Sequence, residues 1–478
     1  MRMVVYMRRF ALRLPACLAA MLIVLFALLP AAYALPAFDD KDAPADAVVL
    51  VDTTSGMVLY DNGNVGKRIY PASTTKIMTA LLVLEKADLS KTVTVGEEVV
   101  VSSDSSKVGL KPGEQITVKD LLYGMMVASG NDAANALAVH VGGSKESFVD
   151  MMNEKAQELG MKDTHFVNAH GLHDEKHYTT AADMRKLLLY ALKNPNFIDI
   201  VSRKEYTIPK SNKRSKPLVL KTTNKLISLK ESDKGYNYEY AVGGKTGFTT
   251  PGGKYNGCLV ALAEKDGMKL AALIFGDHST KARKRWGIAK KLCEFGFSNF
   301  ETADIKSVIQ EITVAEQIKN ASEQDEEEGL MEFAPAIKES VYYTGEKGFM
   351  DVISHSRESI SVVPAFTREL AAPIQKGDVY GTVTYKLNDQ ILYSCDLVAT
   401  RDMDAVDGET PSASGGQSSP LSTQKKVELF APEQASPWWW MLLPAALILF
   451  IVIRVVTLKK KSRSRFKNKR KVYHYRIR

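Results

Sequence analysis

A serine and a lysine three positions apart, Ser73 and Lys76 in YPASTTKIMTALLVLEK, could serve as a nucleophile and its base. Positions i and i+3 share one helical face, so the two side chains can touch. The run from Ile77 to Leu84 carries no charge, which predicts a helix buried all round with Lys76 partly desolvated at its mouth. Desolvation lowers a lysine pKa, and a neutral amine beside a hydroxyl can activate it. The spacing alone is weak. It also fits an N-cap serine with a lysine reaching solvent, and Ser422 and Lys425 repeat it.

Two further motifs change its weight. Ser129-Gly130-Asn131, in MMVASGNDAANALA, falls at a break between two helical runs, where a hydroxyl and an amide can face a cleft. Ordinary capping of a helix beginning at Asp132 is the competing account. Lys245-Thr246-Gly247, in AVGGKTGFTT, is a lysine among Gly243, Gly244 and Gly247, which let a strand edge lie close to a ligand. A glycine-rich hairpin is the competing account there. S-x-x-K, S-x-N and K-T-G in that order form the set used for acyl transfer by penicillin-binding proteins and β-lactamases.

The elements that must position these residues follow from periodicity. AVVLVD (47–52) and MVLYDN (57–62), joined around Ser55-Gly56, predict a hairpin. Helices are predicted over 74–87, 117–128, 131–141, 144–159 and 180–193. Strands return at 240–249, 256–264 and 268–276, the last two joined by Lys265-Asp266-Gly267. Strands at both ends with helices between them predict an antiparallel sheet with a helical lobe over 35–300, α/β in the loose sense. Short alternating runs over 301–403 predict a small β-rich domain, a sandwich, with the acidic run Asp325 to Glu328 as a solvated loop.

The ends read as targeting segments. Residues 1–34 carry Arg2, Arg8, Arg9 and Arg13, then an apolar stretch, then Ala32-Tyr33-Ala34, the pattern of a cleaved secretory signal. Residues 404–437, with PSASGGQSSP, read as a flexible linker, Trp438 to Leu458 as a membrane span, and Lys459 to Arg478 as a basic cytoplasmic tail. The tail could also hold anionic lipid. This organisation predicts a single-pass protein of the bacterial cell membrane with its catalytic part outside. The overall charge of +8 misleads, because 4 basic residues lie in the signal and 11 in the tail; the rest has 48 Lys+Arg against 55 Asp+Glu, or −7. That excludes a nucleic-acid-binding ectodomain. Cys258, Cys293 and Cys395 are too few and too scattered for a disulfide framework, and no C-x-x-C or H-E-x-x-H pattern indicates a metal.

With PASTTKIMTALL, ASGNDAANALA, HGLHDEKHYTTAADM and IQKGDVYGTVTYKLNDQILYSCDLVA, the chain over roughly residues 40–402 resembles the serine-type D-alanyl-D-alanine carboxypeptidases, the low-molecular-mass penicillin-binding proteins. His173 stands where that family typically has proline, and a full hydrophobic span stands where it typically has an amphipathic surface helix. The resemblance implies a penicillin-binding/β-lactamase-like transpeptidase domain, then a small all-β sandwich domain and here a C-terminal transmembrane helix. It implies Ser73 as nucleophile, Lys76 as base, Ser129 as proton carrier and Asn131 as the group ordering Lys76 and the substrate amide. Lys245 and Thr246 would bind the substrate carboxylate beside Gly247, and the N–H groups of Ser73 and Phe248 would hold the oxyanion. The implied partners are the D-Ala-D-Ala end of peptidoglycan stem peptides and β-lactams; no cofactor is required. A class A β-lactamase is disfavoured because no E-x-x-L-N is present. A D,D-endopeptidase acting on cross-links and a non-catalytic β-lactam receptor are the alternatives.

Overall fold

The computed structural model describes residues 38–406. The signal, most of the linker, the span, the tail and the Ser422/Lys425 pair all lie outside the described residues. Among the described residues, no helix is long and apolar enough to cross a membrane.

By internal contacts the chain forms two units. The first runs to Thr313 and also takes Ala334–Ser361 and Tyr385–Asp396. Its frame is a five-stranded sheet in the order Val58–Asp61, Ala47–Asp52, Met268–Asp277, Asn256–Lys265 and Ala241–Thr249, with neighbours antiparallel. Successive strand residues point to opposite faces, and both faces are covered. Val49, Val51, Val260, Leu262, Leu273 and Phe275 pack into the helical lobe, whereas Val48, Leu50, Leu259, Ala261, Ala272 and Ile274 pack under helix Lys284–Asn299.

The hairpin and the three returning strands lie where the alternation predicts them, and Asp266 and Gly267 take positive φ values of 49° and 83° in the connecting turn. Five predicted helices are present as Lys76–Lys86, Val118–Val127, Asn131–Gly142, Lys145–Glu158 and Ala181–Ala191. Three begin where a hydroxyl accepts the N–H three residues on, from Thr117 to Asp120, Ser144 to Ser147 and Thr180 to Asp183. Helix Lys76–Lys86 is buried on every residue through Val83 and forms the axis of the lobe.

Helix Lys284–Asn299 was not legible in the sequence: Gly287, Gly296 and a cluster of basic residues blur its periodicity. Gly296 has a tertiary reason, since a Cβ there would stand 2.6 Å from the Leu270 side chain, so glycine lets the helix sit close on the sheet. Helix Pro195–Ser202 and two small ladders, Thr92–Thr94 with Gln115–Thr117 and Glu205–Ile208 with Leu218–Lys221, were also unpredicted. Cys258 and Cys293 are buried thiols, whereas Cys395 is only half-buried.

The second unit takes Val314–Phe333, Val362–Thr384 and the described residues from Leu397. Its strands belong to a five-stranded sheet in the order Val314–Gln317, Leu330–Pro335, Gln390–Ala399, Val379–Leu387 and Ile360–Phe366. The β-rich expectation for 301–403 holds, but the stretch is not all-β, because Phe349–His355 is helical. Glu326, Glu327 and Glu328 are solvated as expected, whereas Asp325 makes a two-pronged pair with Arg401, at 2.6 and 2.9 Å, that pins the acidic turn.

Candidate active site

Ser73 does not cap the helix. It sits in a 3-10 turn, Ala72–Thr75, that leads into helix Lys76–Lys86, and no side chain caps either element. Ala72 takes φ +49°, a conformation L residues disfavour by about 1 kcal/mol or more. The hydroxyl of Ser73 stays partly accessible while Lys76, one turn on, is wholly buried. Lys76 Nζ lies 2.9 Å from Ser73 Oγ, 2.7 Å from Asn131 Oδ1 and 2.8 Å from the His170 carbonyl oxygen. Burial, then the like charge of Lys245, hold the Lys76 amine well below the usual lysine range, against a weaker opposing pull from Asp132.

Ser129 and Asn131 join helices Val118–Val127 and Asn131–Gly142. Ser129 has φ +60° and does not cap; its Oγ accepts from Lys245 Nζ at 3.0 Å. Asp132, second in the helix, has a buried carboxylate that accepts the N–H groups of Val108, Gly109 and Leu110 at 2.7–3.0 Å, fastening that loop beside the break.

Lys245, Thr246, Gly247 and Phe248 lie on Ala241–Thr249, an edge of the sheet. Lys245 is 1% exposed, and burial pushes its pKa down to about 7. Thr246 Oγ1 pairs with Thr223 Oγ1 at 2.6 Å. A Cβ on Gly247 would come within 3.0 Å of both Ala72 Cβ and the Pro71 oxygen, so glycine allows this strand to lie directly on the Ser73 turn. Phe248 is largely exposed at the strand end. The structure therefore brings Ser73, Lys76 and Asn131 into one hydrogen-bonded group and Ser129 with Lys245 into an adjacent one.

Two participants, the His170 carbonyl and Gly171, carried no readable sequence signal, and Arg285 is a further buried cation outside the group. The His170 carbonyl is a backbone group. Gly171, at φ +85°, is a glycine because a Cβ there would stand 1.8 Å from the Ala72 oxygen. Arg285 is a buried guanidinium whose Nε and Nη1 have no hydrogen-bond partner among the described residues, stacked 4.8 Å from Trp286. A Cβ on Gly257 would meet Arg285 Nη1 at 2.3 Å, and Gly257 pairs with Phe248, so this cation lies next to the Lys245 strand. His173 also sits outside the group, exposed, with its ring edge-on to Tyr70 at 4.5 Å. Gly171→Ala should shift the Ala72–Ser73 peptide and slow acylation by β-lactam about 10²-fold, the cost typical of a 1 Å misplacement. Time-resolved labelling checks this, and a wild-type rate would show that the turn does not depend on Gly171.

A serine turn, a helical lobe and an edge strand presenting a lysine are the parts of a serine acyl-transfer enzyme of the penicillin-binding kind. The D-alanyl-D-alanine carboxypeptidase profile of peptidase family S11 matches residues 35–279, and that of the penicillin-binding protein 5 C-terminal domain matches residues 308–405. The chain belongs to the S11 D-alanyl-D-alanine carboxypeptidase family. It is 33% identical over 365 residues to D-alanyl-D-alanine carboxypeptidase DacF of Bacillus subtilis, covering 75% of this chain and 86% of that one. With DacC of Escherichia coli it shares 32% over 398 residues, covering 80% and 90%. Among solved structures it is similar to penicillin binding protein 5 from Haemophilus influenzae, with TM-score 0.59 and 31% identity over 78% of this chain and 99% of that one.

Proposed function

We propose that the protein is a serine-type D-alanyl-D-alanine carboxypeptidase that removes the terminal D-alanine from peptidoglycan stem peptides and is acylated by penicillin at the same serine. The observation that carries this is the setting of Lys76. A neutral amine has two N–H donors and one lone pair. His170 O and Asn131 Oδ1 are acceptors, so they take the two N–H groups, and the lone pair is left facing the Ser73 hydroxyl at 2.9 Å.

Ser73 Oγ attacks the carbonyl of the penultimate D-alanine as Lys76 takes its proton, and the oxyanion rests on the N–H groups of Ser73 and Phe248. Collapse expels the terminal D-alanine, whose nitrogen receives a proton through Ser129. Water, deprotonated by the same amine, then attacks the ester and releases the shortened peptide and Ser73. Lys245 and Thr246 bind the terminal carboxylate. A β-lactam presents a carboxylate and a reactive amide in like fashion, and its acyl-enzyme persists.

Lys245 gives the sharpest test. Losing a cation that pairs with a partly buried anion typically costs ~2–5 kcal/mol. Lys245→Ala should therefore lower kcat/KM on a free-carboxylate peptide by about 10²-fold, at 1.4 kcal/mol per tenfold. Amidating that carboxylate should cost the wild type nearly as much and the mutant little more, since one interaction is lost only once. A mutant that still separates acid from amide as sharply as wild type would transfer the role to another cation.

The chain architecture belongs to the same proposal. Residues 1–34 are a cleaved signal, 35–300 the catalytic domain, 301–403 the β-rich domain, 404–437 a linker, 438–458 a membrane helix and 459–478 a cytoplasmic tail that can meet anionic lipid. The support is the charge and apolar pattern of the sequence. Protease added to intact cells should release a penicillin-binding ectodomain by cutting between Asp404 and Pro437. Digestion of the tail from Lys459 instead would reverse the orientation.

A further inference from the structure

The Ser73 turn is fastened by a buried chain of hydrogen bonds that the acyl-transfer scheme does not use. Val167 N–H donates to His177 Nδ1 at 3.1 Å. A ring nitrogen that accepts carries no proton, so the neutral imidazole bears its hydrogen on Nε2. Burial holds this imidazole down at about 4, so the neutral form prevails near neutrality. His177 Nε2 lies 2.8 Å from Thr75 Oγ1 and must be the donor. With its lone pair engaged, the Thr75 hydroxyl aims its own proton at the Ala72 carbonyl oxygen, 2.8 Å away. Thr75 and His177 are both essentially inaccessible, so water does not compete for these groups.

The receiving carbonyl is half of the Ala72–Ser73 peptide, and the other half is the Ser73 N–H. A planar peptide transmits orientation: a hydroxyl held on the carbonyl fixes where the N–H points. It also polarises the amide, strengthening that N–H as a donor. Such a restraint is needed here, because Ala72 is held at φ +49° without being glycine. We propose that His177 and Thr75 are positioning residues for the oxyanion hole, acting through the Ala72 carbonyl to aim the Ser73 N–H at the developing negative charge. This rests on the reading of Ser73 as nucleophile and of its N–H as an oxyanion donor. It concerns the transition state, so it predicts an effect on the acylation step and little on prior binding.

Acylation of the purified full-length chain by a fluorescent penicillin, followed over a concentration series, separates the limiting acylation rate from the apparent dissociation constant. Thr75→Val should lower the limiting rate ten- to a hundredfold, below the ~10²–10³-fold typical of deleting an oxyanion donor outright. Its dissociation constant should change by less than about threefold, and Thr75→Ser should restore the rate to within about threefold of wild type. His177→Phe should slow acylation whereas His177→Gln, which keeps a donor, should slow it less; this pair decides the matter if Thr75→Val does not fold. In the Thr75→Val background, His177→Phe should add little, because the hydroxyl proton it aims is gone. Equal limiting rates for Thr75→Val and Thr75→Ser, equal rates for the two His177 variants, or independent addition of the two losses would each overturn the proposal. Absence of labelling in the wild type would instead overturn the acyl-enzyme reading itself.

Discussion

Ser73→Ala should abolish both D-alanine release and covalent labelling by fluorescent penicillin, a loss of at least ~10⁴-fold, as expected when the nucleophile of a covalent mechanism is removed. The fold should survive, because the Ser73 side chain is partly accessible and Lys76 keeps its bonds to Asn131 and His170 when the hydroxyl is gone. Thermal unfolding should shift by no more than a few degrees, within the range of a surface change of about 0.5 kcal/mol. Ser422→Ala, at the repeat of the S-x-x-K spacing, is the matched control and should change neither activity. Wild-type labelling of Ser73→Ala would move the nucleophile elsewhere, and loss of labelling in Ser422→Ala would bring the C-terminal serine into the chemistry.

Lys76→Met should cost about 10³-fold or more in the limiting acylation rate, within the upper range for a lost general base. Methionine matches the volume but leaves Asn131 Oδ1 and the His170 oxygen without their donor, so stability should also fall by about 1–3 kcal/mol. On the proposed mechanism Lys76 works only as the neutral amine, so wild-type acylation should decline as pH falls through the depressed Lys76 pKa. Lys245 works only as the cation, and burial sets its pKa near 7 in the free enzyme, so kcat/KM on a free-carboxylate peptide should decline above about 7. Bound substrate raises that second pKa by supplying an anion, so the alkaline limb of kcat should lie higher than that of kcat/KM. A pH profile with no alkaline limb in kcat/KM would remove Lys245 from carboxylate binding. Both lysines also bind fewer protons folded than unfolded. Stability should therefore rise with pH between the depressed folded values and the ordinary lysine value, and be lost as pH falls through the former.

The sequence by itself determined the ordered motifs and most of the elements that carry them. The continuous apolar run AVVLVD and its partners placed the sheet, because a strand buried on both faces needs apolar residues at almost every position. Apolar periodicity placed the helices over 117–128, 144–159 and 180–193 to within a residue or two of their observed ends, and in the structure the hydroxyls of Thr117, Ser144 and Thr180 cap their starts. The unbroken apolar run after Lys76 announced a partly desolvated lysine, and packing against the rest of the lobe buries it fully, since a helix without a polar face has nowhere to send one.

What the tertiary structure alone decided is how these groups meet. The contact between Ser129 and Lys245 spans 116 positions, and no local pattern encodes it. Local rules assigned Ser73 and Ser129 plausible capping roles, yet both are withheld from capping and turned on their partners, with Ser129 itself at φ +60° and Ser73 behind Ala72 at φ +49°. Arg285 sat in an ordinary-looking basic run until helix Lys284–Asn299 folded onto the sheet and buried its guanidinium. The His170 carbonyl that completes the shell of Lys76, and the Ala72 carbonyl that receives Thr75, belong to the backbone, which every residue type shares. Side-chain identity is written in the sequence, but backbone acceptors and burial exist only once distant segments pack, and here they hold a lysine well below its ordinary pKa.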